Sequence, residues 1–271
     1  MQDALLRSAL FVPGDRPERF TKALASGADA VIIDLEDAVQ ESEKANARRH
    51  LQLFLATHPD VRVWVRVNCA GHLQHAADLE LCANEPGIAG VLLPKAEHPE
   101  QIRRVGRTGK AVMPIIESAQ GLATLPALAR VPGVYRLTYG GLDFSLELGL
   151  LSGSPAAERM LDQVRFALLL QSRLAGLLAP LETVFAKLGA DQALSTFISN
   201  AQSMGFAGML CIHPAQVAVV HQAMQPTDQQ LDWARRVLEG ADTTGAYQID
   251  GQMVDAPVIQ RARNLLAASS N

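Results

Sequence analysis

Apolar residues recur along this chain in short runs rich in Val, Ile and Leu, each bounded by turn or polar residues. SALFVPG (8–14), AVIIDLED (30–37), VWVRVN (63–68), GVLLPKA (90–96), AVMPIIES (111–118), YRLTYGGLD (135–143), APLETVF (179–185) and GMLCIHP (208–214) read as strands. Near-continuous apolar runs of this length suit strands covered on both faces. Between them, ERFTKALASG (18–27), SEKANARRHLQLFLATH (42–58) and ERMLDQVRFALLLQSRLAGL (158–177) repeat apolar residues at helical intervals, the first stopping at Gly27. Eight strands alternating with helices predict a parallel sheet closed into a (β/α)₈ TIM barrel. An open doubly wound sheet is the alternative, and no GxGxxG or GxxxxGK[ST] motif supports a nucleotide fold.

Charge enters this pattern at one end of the strands. Glu36 and Asp37, Arg66 and Asn68, Lys95, Glu117, Asp143 and His213 all sit where an apolar run finishes. In a barrel that end is the mouth, where loops from several strands converge and chemistry is done. Asp34 lies deeper in its run and reads as a hydrogen-bonded supporting group. A single acidic residue after a strand is ordinarily a helix cap or a surface group; several on different strands at the same end are a candidate site.

Composition narrows the classes. The 271 residues are 48% hydrophobic, 19% charged and 5% aromatic, which is an ordinary globular balance and enough for one large core. A formal net charge of -4, with no basic stripe, disfavours nucleic acid, whose binding rests on phosphate neutralisation. Three cysteines without CxxC spacing exclude a disulfide framework or a zinc cluster and fit a reducing compartment. The N-terminus reaches polar residues too soon for a signal peptide, and no apolar run approaches the ~20 residues of a membrane helix. A cytoplasmic protein is expected.

Glu117 and Asp143 close consecutive predicted strands, so their carboxylates can face one point. Two hard oxygen ligands, completed by water and substrate, suit Mg²⁺. The seven histidines are scattered and offer no zinc cluster. The glycines before Asp143 would let backbone N–H groups approach an anionic ligand. Arg66 presents a planar fork suited to a substrate carboxylate, or else it neutralises Glu36 or Asp37 in an ion pair. Position alone leaves both readings open.

SALFVPGDRPERFTKALASGADAVIIDLEDAV, VRVN, LLPKAE, PIIESAQGL, YGGLDFSLELG, GFAGMLCIHPAQV and DGQMVDAPV, in this order, resemble the citrate lyase β-subunit-like family. That family sits in the acyl-CoA lyase and aldolase group that includes malyl-CoA and citramalyl-CoA lyases. The resemblance runs from Arg7 to about Leu266. It implies a barrel over 1–225 with a C-terminal helical lid over 226–271. It also implies a Mg²⁺-dependent enzyme that cleaves a 3-hydroxyacyl-CoA thioester to an acyl-CoA and a 2-oxo acid, and a homotrimer or a multiple of one.

Residue by residue, the resemblance makes Glu117 and Asp143 metal ligands and Arg66 the binder of the oxo-acid end. Glu36 and Asp37 become acidic groups around metal-bound water and substrate. Phe11, Pro13 and Arg16 receive the CoA chain, and Ile212 and His213 line the substrate site. Asp255 is a lid carboxylate that transfers a proton at the enolate carbon; read without the family, it is an exposed helix cap. Met209 stands where many relatives carry a cation, and Glu182 where Asp is frequent, which leaves the substrate open among citramalyl-, citryl- and malyl-CoA. A metal aldolase on free 2-oxo acids and a non-catalytic acyl-CoA-binding subunit are the competing functions.

Overall fold

Each apolar run becomes a strand, and every neighbouring pair in the resulting sheet is parallel. The structure, a computed structural model, describes residues 6–241 and 247–269. Residues 1–5, on which the reading against a signal peptide partly rests, lie outside them. In chain order the barrel elements are β1 (Ser8–Pro13), α1 (Phe20–Leu24), β2 (Ala30–Asp34), α2 (Lys44–Thr57), β3 (Val63–Arg66), α3 (His75–Asn84), β4 (Ile88–Leu93) and α4 (Pro99–Gly106). They continue with β5 (Ala111–Ile116), α5 (Ala119–Leu128), β6 (Thr138–Tyr139), α6 (Gly141–Glu147), α7 (Pro155–Leu174), β7 (Leu181–Glu182), α8 (Asp191–Met204), β8 (Gly208–Cys211) and α9 (Pro214–Met224).

The eight strands follow the order β6-β5-β4-β3-β2-β1-β8-β7, a nearly closed (β/α)₈ barrel. This is the architecture that alternating runs predict, and the open doubly wound alternative is excluded, because β1 is flanked by β2 on one side and β8 on the other. Ala9, Ile32, Leu92, Met113, Ile115, Leu181 and Leu210, drawn from six strands, bury their side chains in one cluster. Burying such side chains contributes roughly 1.5–3 kcal/mol for each large one. Gly90 on β4 leaves room for the Trp64 ring, which a Cβ there would approach to 2.3 Å.

Local sequence sets the helix limits. Ser118 caps α5 by accepting the Gly121 N–H at 3.1 Å, and Ser154, followed by Pro155, caps α7 through the Ala157 N–H at 3.1 Å. Gly205 ends α8 with φ 99°, a left-handed turn that suits glycine. Two strands are shorter than the runs that announce them. Only Thr138–Tyr139 and Leu181–Glu182 form ladders, because Gly140–Gly141 already turns the sixth run into α6. The first helix is likewise shorter than its run: Pro17 begins a 3₁₀ turn over Pro17–Arg19 and the α-helix covers only Phe20–Leu24.

The chain divides into two compact units, Met1–His221 and Gln222–Asn271, the division falling within α9. The second holds α10 (Asp228–Ala241), the antiparallel pair β9 (Tyr247–Ile249) and β10 (Gln252–Val254), and α11 (Ala256–Ser269). Its core joins Ala234, Val237, Val254 and Ala262, with Trp233 and Tyr247 packed against them. Asp250 (φ 49°) and Gly251 (φ 80°) make the hairpin turn, a pairing suited to two positive-φ positions. All three cysteines are free. Among the described residues no helix is long and apolar enough to cross a membrane.

Candidate functional site

The C-terminal ends of the strands surround a cavity of about 270 Å³. Phe11 and Pro13 come from β1, Asp34 from β2, Arg66 from β3, Glu117 from the residue after β5, and Gly140 to Asp143 from the β6–α6 turn. Asp37, Thr183 and Ile212 complete the polar and apolar rim. The barrel brings together, as the strand-end pattern predicts, carboxylates from three strands and one guanidinium.

Asp34 and Arg66 are register partners on adjacent parallel strands, so their side chains leave the sheet side by side. Arg66 donates through Nε and Nη2 to the two oxygens of Asp34 at 2.7 and 2.5 Å. Asp34 also accepts the main-chain N–H groups of Glu36 (3.0 Å) and Ala38 (3.1 Å), which folds the acidic turn back over the strand. The supporting role expected of Asp34 is what the structure contains. Nη1 of Arg66 lies 3.2 Å from Glu36 and 3.8 Å from Asp37, and its guanidinium stacks over Phe11 at 4.8 Å. Burial alone would lower the Arg66 pKa, but the facing carboxylates outweigh it and raise it. Arg66 therefore makes the ion pairs with the acidic turn and also lines the cavity.

Lys95 joins the acidic groups. Its main-chain N–H donates to Glu117 Oε1 at 2.8 Å and its ammonium to Glu36 Oε1 at 3.1 Å. It does so with φ 49°, a left-handed conformation that costs a side-chain-bearing residue about 1–2 kcal/mol. Nothing in the letter Lys announces that backbone, and the sequence reading gave this residue no role.

Burial, and then the nearby charges of Glu36 and Asp143, push the Glu117 carboxyl up to about 7. Burial also raises Glu36, although Arg66 and Lys95 oppose it. Glu36 Oε2 is buried with no hydrogen-bond partner, although Arg66 Nη1 lies near it. Carboxylates gathered in this way repel one another until a cation joins them. Glu117 and Asp143 are hard oxygen donors fit for a divalent ion that keeps waters and substrate in its remaining positions. Among the described residues no group of three or more His, Cys, Asp or Glu forms a full protein cage. The donor set thus fits a cation bound by two carboxylates and excludes a zinc-type cluster.

The glycines before Asp143 do not present free amides to an anion. Gly140 N–H donates to the Ile116 carbonyl at 3.1 Å and Gly141 N–H to Thr183 Oγ1 at 3.0 Å. Their use is space: a Cβ at Gly140 would sit 2.3 Å from Glu117 Oε2, and one at Gly141 3.1 Å from Thr183 Cγ2.

The remaining nominated residues fall elsewhere. His213 lines a second cavity, of about 340 Å³, which shares Phe11, Pro13 and Ile212 with the first and adds Arg19 and Lys22. Arg16 lines neither cavity, and its guanidinium is 4.0 Å from Asp15. Asp255 belongs to the second unit, where it is exposed and accepts the Val258 N–H at 3.4 Å in the first turn of α11. Met209 is fully buried on β8. Glu182 is fully buried too, accepting from the Tyr139 hydroxyl and, at 2.9 Å, from Arg165 Nε.

Residues 7–214 match the family model described as HpcH/HpaI aldolase/citrate lyase. A citrate lyase subunit beta-like protein of Mycobacterium tuberculosis is 37% identical over 261 residues, covering 95% of this chain and 93% of its own. A (3S)-malyl-CoA thioesterase of Cereibacter sphaeroides is 30% identical, covering 96% and 93%. A crystal structure of the protein CitE from Mycobacterium tuberculosis, in complex with magnesium, acetoacetate and coenzyme A, superposes with TM-score 0.87 at 33% identity and covers 99% of each chain.

Proposed function

Because this chain belongs to the HpcH/HpaI aldolase/citrate lyase family, we propose that it is a Mg²⁺-dependent carbon–carbon lyase acting on a short 3-hydroxyacyl-CoA thioester. The observation that carries this reading is the shared cavity of Glu117, Asp143 and Arg66: two anionic ligands and one cation around a space the size of a small hydroxy acid. Glu117 and Asp143 would hold the ion. When bound, Mg²⁺ supplies Lewis-acid charge for the hydroxyl and carboxylate oxygens of the substrate.

The chain's own groups divide the remaining work. Arg66, fixed by Asp34, receives the substrate carboxylate and shares the negative charge that develops when the 3-hydroxyl loses its proton. The hydroxyl proton passes to bulk water, and the alkoxide left behind becomes the ketone of the 2-oxo acid as the C2–C3 bond breaks. The bonding pair passes to the thioester as an enolate. Asp255 protonates the enolate carbon to give the acetyl thioester, and runs the step backwards in condensation; its exposure and the MVDAP resemblance support that role.

Charge balance favours one substrate among the candidates. Arg66 is the one cation among the described residues lining the cavity, and the rest of the lining includes Ile115, Leu142, Val184 and Ile212. A second substrate carboxylate, as in citryl-CoA, would meet Asp34, Asp37 or an apolar wall, and an unpaired buried charge costs several kcal/mol. A methyl group suits those walls. Citramalyl-CoA, giving pyruvate and acetyl-CoA, is therefore preferred, with malyl-CoA disfavoured only by an empty methyl site, roughly 10–200-fold. The cations Arg19 and Lys22 beside the second cavity suit the phosphates of the CoA arm.

The test is product analysis with citramalyl-, malyl- and citryl-CoA in the presence of Mg²⁺. Pyruvate and acetyl-CoA in equal amounts, with no free thiol, are the expected result. Release of free CoA thiol without a 2-oxo acid would assign thioester hydrolysis instead, the activity in the name of the Cereibacter sphaeroides relative. Equal cleavage of free hydroxy acids would make the protein a CoA-independent aldolase. Binding of every thioester without any product would make it a non-catalytic subunit.

A further inference from the structure

The barrel has one seam. Among the described residues no ladder joins β6 to β7, the two shortest strands there, each of two residues. One main-chain bond spans the gap near its base, Leu181 N–H to the Leu137 carbonyl at 3.0 Å. The other links between the two strand regions come from side chains. Thr138 Oγ1 donates to the Leu181 carbonyl at 3.0 Å, the Tyr139 hydroxyl donates to Glu182, and Arg136 donates to the Ala179 carbonyl. At the top, Thr183 Oγ1 accepts the Gly141 N–H at 3.0 Å.

Glu182 anchors this arrangement from behind. Its carboxylate is fully buried, takes Arg165 Nε of α7 at 2.9 Å, and accepts the Thr183 N–H at 3.1 Å. Arg165 in turn reaches Asp162 at 2.8 Å and Glu158 at 3.2 Å. Removing a carboxylate and a guanidinium from water is costly, and a well-packed apolar pair is often as stable. The two carboxylates of the site differ in how they are held. Glu117 follows β5, which has ladder partners on both sides, and its Oε1 is held by Lys95. Asp143 rides on α6, whose first residue is tied across the seam by Thr183.

We propose that the side-chain latch across the β6–β7 seam, with Thr183 and Glu182 at its centre, positions Asp143 for divalent-cation binding. This rests on the reading of Glu117 and Asp143 as the metal pair. Thr183 and Glu182 act through Gly141 and α6 and are positioning residues, not ligands.

Mn²⁺ binding, followed by the loss of the free-ion electron paramagnetic resonance signal, separates the possibilities without an activity assay. Thr183→Val keeps the shape but leaves Gly141 N–H without its acceptor, and should weaken Mn²⁺ about tenfold. Thr183→Ser should restore most of that loss, which a merely structural defect would not. Glu182→Gln should weaken the ion in the same direction. Thermal melts identify any variant that fails to fold, and the near-isosteric Thr183 pair keeps the test decisive if Glu182→Gln does. Wild-type affinity in a folded Thr183→Val protein overturns the latch alone. Failure of wild-type protein to bind Mn²⁺, or undiminished binding by Glu117→Gln, overturns the metal reading and the latch with it.

Discussion

The main-chain N–H of Lys95 donates to Glu117 Oε1 at 2.8 Å, from a backbone held at φ 49°. A positive φ at lysine is a strained way to place one amide, and the same residue spends its ammonium on Glu36. Backbone and charge can be separated by two substitutions. Lys95→Gly relieves the strain and removes the cation, whereas Lys95→Met removes the cation and keeps the strain. In urea melts the glycine variant should be more stable than the methionine variant by about 1 kcal/mol. Both should bind Mg²⁺ differently from wild type, since Glu36 loses its Lys95 hydrogen bond in each and keeps only the ion pair with Arg66.

Glu117 gives the metal-free protein a definite pH signature. Its carboxyl titrates at about 7 in the fold against an ordinary 4.5, so between those values the folded state holds a proton that the unfolded state has released. Stability then falls as pH rises from about 4.5 to about 7, by an amount on the order of 3 kcal/mol for this group. Glu36, raised by burial, adds to the slope in the same direction. Chemical denaturation at pH 5 and pH 8 in chelator should find the protein more stable at pH 5 from this cause, and Glu117→Gln should flatten most of the difference. Mg²⁺ needs the ionised form, so its affinity should rise with pH through about 7. A pH-independent calorimetric affinity would contradict the assignment.

Much of this was readable before any coordinates. Runs such as AVIID and AVMPII are apolar because a parallel strand in a barrel is covered on both faces, and the change to charge marks where it emerges. That rule gathers Glu117, Asp143 and Arg66 at one end of the strands, and all three line the cavity; it does not by itself set them apart from Glu36, Lys95 or His213. What could not be read depends on backbone angles or distant partners. Lys95 carries no mark of its left-handed conformation. Tyr139 and Glu182 are 43 positions apart and meet only because the barrel brings its two end strands together. The Gly-Gly before Asp143 reads from the sequence as an anion cradle, and only the packed Glu117 side chain shows that it supplies clearance instead.

Gly140 supplies a sharp check on that clearance. A methyl group there would lie 2.3 Å from Glu117 Oε2 and 2.9 Å from Glu117 Cβ. The carboxylate end can swing away, but the Cβ cannot do so without moving β5. Gly140→Ala should cost about 1–3 kcal/mol of stability, as overpacking does, and should reduce Mg²⁺ affinity together with turnover. Unchanged metal binding in this variant would mean that Glu117 is not held where the ligand pair needs it.

Direct replacement of the pair tests the same site from the other side. Asp143→Asn and Glu117→Gln should each lower Mg²⁺ affinity and cleavage in parallel, and chelation of wild-type protein should reproduce the loss reversibly. Undiminished turnover in both variants would remove the ion from the reaction.

Asp255 separates metal chemistry from proton transfer. It lies in the unit Gln222–Asn271, exposed at the start of α11. If it protonates the enolate carbon, Asp255→Asn should bind Mg²⁺ and the 2-oxo acid as wild type does, because Glu117, Asp143 and Arg66 are untouched. The chemical step should slow by at least 10²-fold, within the range that a positioned acid or base contributes. Deuterium exchange from solvent into the methyl group of acetyl-CoA, measured by NMR with pyruvate and Mg²⁺ present, reports this transfer without net cleavage. A helix cap alone would leave that exchange at the wild-type rate and leave the melting temperature nearly unchanged, because Asn caps a helix about as well as Asp. Slow exchange with intact metal binding is the outcome expected of a proton donor; exchange at the wild-type rate would return Asp255 to the role of a cap.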